Sequence, residues 1–134
     1  MCTVTFVPQP EDGFLFTSNR DEAPSRSSKE MATKKLENEV EIHFPKDAKA
    51  GGTWIAVSND NRLICVLNGA FERHKQQPPY RLSRGIMALE FFEYESAIDF
   101  FENFDFEGIE PFTLVIVDDG NLFDFRWDGK EAYM

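Results

Sequence analysis

Apolar and polar residues alternate along much of this chain in short runs divided by turn residues, the period expected of half-buried strands. The run Cys2 to Val7, the turn-rich Pro8-Gln9-Pro10-Glu11-Asp12-Gly13 and the run Gly13 to Ser18 predict strand, turn and strand. Such a hairpin brings Cys2 close to Ser18 and Asn19 at its open end. Residues 20 to 38 are polar, hold Pro24 and read as an exposed connection, while Val40 to Phe44 alternates as a short strand. The strongest hairpin pattern follows Gly51-Gly52: Thr53 to Ser58, the turn Asn59-Asp60-Asn61, then Leu63 to Asn68. Gly69 to Leu82, with Pro78-Pro79, reads as a loop.

The period then changes. Ser83 is placed to N-cap a helix running to about Tyr94, and Ser96 with Asp99 three residues on forms a capping-box-like start for a second over Ala97 to Asn103. Phe91, Phe92, Phe100, Phe101 and Phe104 recur at helical spacing and are assigned to packing rather than to an aromatic binding box. Phe112 to Val117, the turn Asp118-Asp119-Gly120-Asn121 and Leu122 to Trp127 predict a last hairpin, with a further turn at Trp127-Asp128-Gly129-Lys130. No strand is expected after that turn. The unpaired edge this would leave predicts a domain over residues 1–134 that is cut short at its C-terminal end.

With 134 residues, the chain has enough material for one ordinary core and too little for two. Its apolar fraction of 42% and charged fraction of 28% are those of a folding sequence. Lys and Arg number 14 against 24 Asp and Glu, so 14 − 24 gives a net charge of −10. That balance opposes binding to nucleic acid or to an anionic membrane surface, both of which draw on clustered cations. The basic residues concentrate between Arg20 and Arg84, which keeps a local anion site open there. No secretory signal pattern and no membrane-spanning apolar stretch is read, and two cysteines supply neither a disulfide framework nor a four-cysteine zinc site. A cytoplasmic protein without metal or other cofactor is expected. His43 and His74 stand apart from any metal-ligand spacing, and Cys65 reads as a core residue.

Cys2 directly follows Met1 and lies near the polar cluster Asn19-Arg20-Asp21-Glu22. Removal of Met1 would give one residue both a thiol and a free α-amine. Reference pKa values of roughly 7.7 to 8.0 for an α-amine and about 8.5 for a cysteine allow the amine to take the thiol proton near neutrality. The other reading of Cys2 is a buried small residue without chemistry.

Taken in order, Met1-Cys2, Thr17-Ser18-Asn19-Arg20-Asp21-Glu22, Gly51-Gly52-Thr53-Trp54, Asn68 and Ser83-Arg84-Gly85 resemble the NRDE family, the transport and Golgi organisation protein 2-like proteins. That family is similar to the N-terminal nucleophile hydrolases. The resemblance implies an α+β fold, an αββα sandwich of antiparallel sheets and helices of which this chain would be the N-terminal part. It also implies the nucleophile role for Cys2. Comparison with the choloylglycine-hydrolase group implies that Asn68 helps form an oxyanion hole and that Asp21 contacts the free amine. Asn68 read by itself is equally an asparagine that ends a strand in a turn. Where that group carries an arginine this chain has Ser18, so Arg20 is open between an ion pair with Asp21 or Glu22 and a substrate-anion contact. Asn19, Arg20 and Glu22 are expected to bind substrate or support the site.

The leading expectation is therefore a cysteine amidohydrolase or acyltransferase acting on a carbon–nitrogen bond of a linear non-peptide amide. The rival is a non-enzymatic carrier or trafficking protein for haem or a lipid, for which no Cys-x-x-Cys-His signal is present.

Overall fold

The structure, a computed structural model, describes residues 2–11, 13–28 and 30–134. The expected removal of Met1 lies outside the described residues, as does Asp12 of the first turn. Strands β1 (Thr3–Pro8) and β2 (Phe14–Asn19) form a two-stranded antiparallel sheet. The others make a seven-stranded antiparallel meander: β3 (Met31–Lys35), β4 (Glu41–Pro45), β5 (Ile55–Ser58), β6 (Leu63–Asn68), β7 (Phe112–Asp118), β8 (Asn121–Trp127) and β9 (Ala132–Tyr133). Helices α1 (Arg84–Glu90) and α2 (Ala97–Asn103) lie between β6 and β7 in sequence.

Alternation along these strands turns Ile42, Phe44, Ala56, Ile64, Leu114 and Ile116 to one face, where they pack with Met87, Leu89 and Phe100 of the helices. The Ser83 hydroxyl accepts the Ile86 N–H and the Ser96 hydroxyl the Asp99 N–H, so both expected N-caps are made. Val4, Phe6, Phe16 and Ser18 are the half-buried positions of the small hairpin. They share one face, and there Ser18 meets Cys65 on the side of the large sheet away from the helices. The fold is thus the expected α+β arrangement of antiparallel sheets and helices. Both α-helices pack on a single face, so only one helical layer of the four-layer sandwich is found among the described residues.

Three expectations change. The segment 20 to 38 is mostly exposed but not wholly irregular: Pro24–Arg26 forms a 3-10 turn and Met31–Lys35 pairs with β4. Its Thr-Lys-Lys sequence hides an edge strand, since only Ala32 of β3 packs on the core. The first helix stops at Glu90 and continues as a 3-10 turn, Phe91–Glu93. Buried Arg62 donates to the carbonyls of Tyr94 (2.7 Å) and Phe92 (3.3 Å), and Asn38 also donates to Phe92, so these carbonyls serve the sheet instead of another helical turn. Finally, the chain does make a strand after β8, with Trp127 opposite Ala132 and Arg126 opposite Tyr133. No helix among the described residues is long and apolar enough to cross a membrane.

A cysteine-lined cleft

Cys2 sits just before β1, and its surroundings are set by the end of β2. The Thr3 N–H donates to Asn19 Oδ1 at 2.6 Å, and the Asp21 N–H donates to Cys2 Sγ at 3.5 Å. The backbone that follows the hairpin therefore wraps the thiol, which is half-buried. Asn19 holds strand ends together.

Asp47 is the anchor of the next shell. Its Oδ1 accepts the N–H groups of Lys49 (2.9 Å) and Ala50 (2.8 Å), closing the loop before Gly51-Gly52. Its Oδ2 is shared by the guanidinium groups of Arg20 and Arg26, the latter at 3.0 Å. Burial pushes the Asp47 carboxyl up, but the Ala50 N–H, Arg20, the Lys49 N–H and the charge of Arg26 outweigh it and hold the group well below the usual carboxylate range. Arg20 also donates to the Arg26 carbonyl at 2.7 Å and lies 4.3 Å from the centre of the Trp54 ring. Glu22 pairs with Arg26 at 3.0 Å.

The Gly-Gly-Thr-Trp and Ser-Arg-Gly motifs are in direct contact. The Thr53 N–H donates to the Gly85 carbonyl at 3.2 Å. A Cβ at Gly52 would lie 2.5 Å from the Gly85 carbonyl carbon, and one at Gly85 would lie 2.6 Å from the Thr53 oxygen. Glycine is required at both by close approach of two backbones. This seam fixes the start of α1 against the loop before β5, and Arg84 beside it pairs with Glu110 at 3.0 Å. Glu110 also accepts from Gln76 (3.2 Å) and hydrogen bonds His74 (2.9 Å), tying the 69–82 loop to the same place.

These groups enclose a cleft of about 440 Å³ whose wall includes Cys2, Arg20, Glu22, Arg26, Asn68 and Arg84. Of the residues anticipated from sequence, Cys2, Arg20, Glu22 and Asn68 line it. Asn68 is exposed at the end of β6. Asp21 reaches the thiol through its backbone N–H, and Asn19 does not line the wall. Arg20, left open between an ion pair with Asp21 or Glu22 and a substrate-anion contact, forms its ion pair with Asp47, while Glu22 is taken by Arg26. Cys65 is fully buried, with burial pushing its thiol up while the Ser18 hydroxyl works the other way. His74, read as isolated, is a partner of Glu110.

Asp47, Arg26, Arg84 and Glu110 went unnoticed as site residues. Asp47 had a local signal, an aspartate two residues before the bonded Lys49 N–H in a Gly-rich turn. Glu110 had none, because its partners lie 26 to 36 residues away in sequence.

Fold and cleft together define an α+β protein with antiparallel sheets whose Cys2 opens onto an arginine-lined cleft. The family profile described as Transport and Golgi organisation 2 matches residues 1–128, and the chain belongs to that family. No curated protein and no solved structure gives a significant match to the chain.

Proposed function

We propose that the chain is an N-terminal-nucleophile cysteine amidohydrolase or acyltransferase for a linear non-peptide amide, active once Met1 has been removed. The observation that carries this reading is the position of Cys2 Sγ on the cleft wall with a backbone N–H directed at it and with Asn68 on the same wall.

In the proposed reaction the α-amine of Cys2 takes the thiol proton and Sγ attacks the amide carbon. The oxyanion that forms is met by the Asn68 amide N–H, a donor of a kind worth about 2.7 to 4 kcal/mol at other oxyanion holes. Collapse expels the amine, which carries away the proton, and leaves a thioester on Cys2. Water, or an acceptor amine, then attacks the thioester, and the acyl product departs as the sulfur recovers its proton. Asp21 has the role of orienting the α-amine, and Asn19, Arg20 and Glu22 that of holding the surrounding backbone and substrate. A reducing compartment such as the cytoplasm suits an unpaired nucleophilic thiol.

Intact mass and peptide mapping after brief iodoacetamide treatment at slightly acidic pH test the reading. Loss of Met1 with selective labelling of Cys2 over Cys65 is the expected result, together with hydrolysis of linear amides that disappears in Cys2→Ala. Retention of Met1, or amide hydrolysis undiminished in Cys2→Ala, would overturn it. The haem or lipid carrier then becomes the reading to pursue, by spectroscopic titration with haem.

A further inference from the structure

Three arginines line the cleft, and each is paired with a carboxylate that is more deeply buried than itself. Side-chain exposure is 14% for Arg20 and 33% for Arg26 against 3% for their shared partner Asp47. It is 33% for Arg26 against 24% for Glu22, and 17% for Arg84 against 12% for Glu110. The formal charges of the three arginines and three carboxylates cancel, yet the cationic member of every pair is the one turned outward.

Hydrogen-bonding capacity points the same way. Asp47 accepts four bonds or ion-pair contacts, two from backbone N–H groups and two from guanidinium groups, which fills its lone pairs. Glu110 is engaged by His74, Gln76 and Arg84. The arginines keep donors to spare, since each guanidinium carries five N–H groups. Among the described residues, one buried side-chain nitrogen or oxygen has no hydrogen-bond partner, and it is Nε of Arg26. A buried N–H without an acceptor is costly, at about 1 to 3 kcal/mol, so the fold leaves the Arg26 guanidinium short of acceptors.

We infer that the cleft selects an amide whose far end carries a carboxylate, received by Arg26 and Arg84 while the amide carbonyl lies at Cys2. This rests on the amidase reading above and names its substrate class. The net charge of −10 resists such an anion over the rest of the surface, so its capture depends on the more exposed guanidinium groups of this locally balanced cleft. Planar guanidinium forks suit a carboxylate better than lysine would, because two parallel N–H groups meet its two oxygens.

Calorimetric titration of the full chain carrying Cys2→Ala tests the inference without catalysis. The probes are N-acetyl-4-aminobutyrate and its neutral carboxamide. Saturable binding of the acid, at least about tenfold tighter than the carboxamide, is expected, with a further loss of about tenfold in Arg84→Gln and in Arg26→Gln. Arg26→Lys, which retains charge but not the fork, should fall between Arg26→Gln and the parent. Equal affinity for both probes, binding of neither, or acid binding unchanged in Arg84→Gln would overturn it. Circular dichroism identifies a variant that has lost its fold, and Arg84→Gln then decides alone. Because Cys2 is absent from this experiment, its failure leaves the labelling result untouched, and an inert Cys2 leaves this result untouched.

Discussion

The two faces of the seven-stranded sheet are closed by different means. On the helix side, aromatic rings form a continuous chain: Phe91 to Phe100 at 5.5 Å, Phe100 to Phe106 at 5.4 Å, and Phe106 to Phe125 at 4.9 Å between centroids. On the hairpin side Cys65 meets the Ser18 hydroxyl at 3.4 Å, and Val7 and Leu15 remain exposed on the hairpin. The cleft, bounded by Cys2, the loop before β5 and the start of α1, is organised by ion pairs and backbone contacts. Apolar burial is insensitive to pH, whereas paired charges respond to it. Apolar packing and paired charges thereby organise different regions of one domain.

Phe100→Ala should break the comparison most visibly. The ring is fully buried and at the centre of the aromatic chain, so a loss of about 3 to 5 kcal/mol is expected in a denaturant melt. A loss below about 1 kcal/mol would mean that the helix side is not the main source of stability. The effect of Gly52→Ala should be smaller, about 1 to 3 kcal/mol, because the added methyl must displace backbone at the start of α1. Iodoacetamide labelling of Cys2 should change in this variant while the far-UV spectrum is retained. An unchanged melt would show that the seam yields easily.

Acidification sharpens the contrast with no mutation at all. The Asp47 carboxyl has a folded-state value held below its ordinary one, so its stabilising contribution is present above about pH 4 and is lost as pH falls toward the folded value. The two tryptophans report separately, since Trp54 lies under Arg20 at the cleft and Trp127 donates to the Ile109 carbonyl in the core. Trp54 fluorescence, isolated in Trp127→Phe, should shift below about pH 4, before Trp127 fluorescence isolated in Trp54→Phe. Coincident transitions would mean that the two regions open as one unit.

The hairpins and both helix N-caps were legible because strand alternation, turn residues and Ser caps act over a few residues. β3 was not, since an exposed edge strand with Thr33, Lys34 and Lys35 has no apolar face to reveal it. The motifs Gly51-Gly52-Thr53-Trp54 and Ser83-Arg84-Gly85 were visible as words of the sequence, but their reason was not. It lies in a backbone contact between segments about 30 residues apart in the chain. Cys2 and Asn68 were found through chemistry and resemblance, whereas Asp47 and Glu110 hold the cleft by partners distant in sequence.

The glycine seam also limits how this cleft can be redesigned. A library that varies every residue around the mouth would waste its members at Gly52 and Gly85, where any side chain collides with main chain. Diversity is better spent at Gln76, Tyr80 and Leu82, which line the same opening from the 69–82 loop. New specificities would then be obtained by changing one wall while the opposite wall stays as a fixed template.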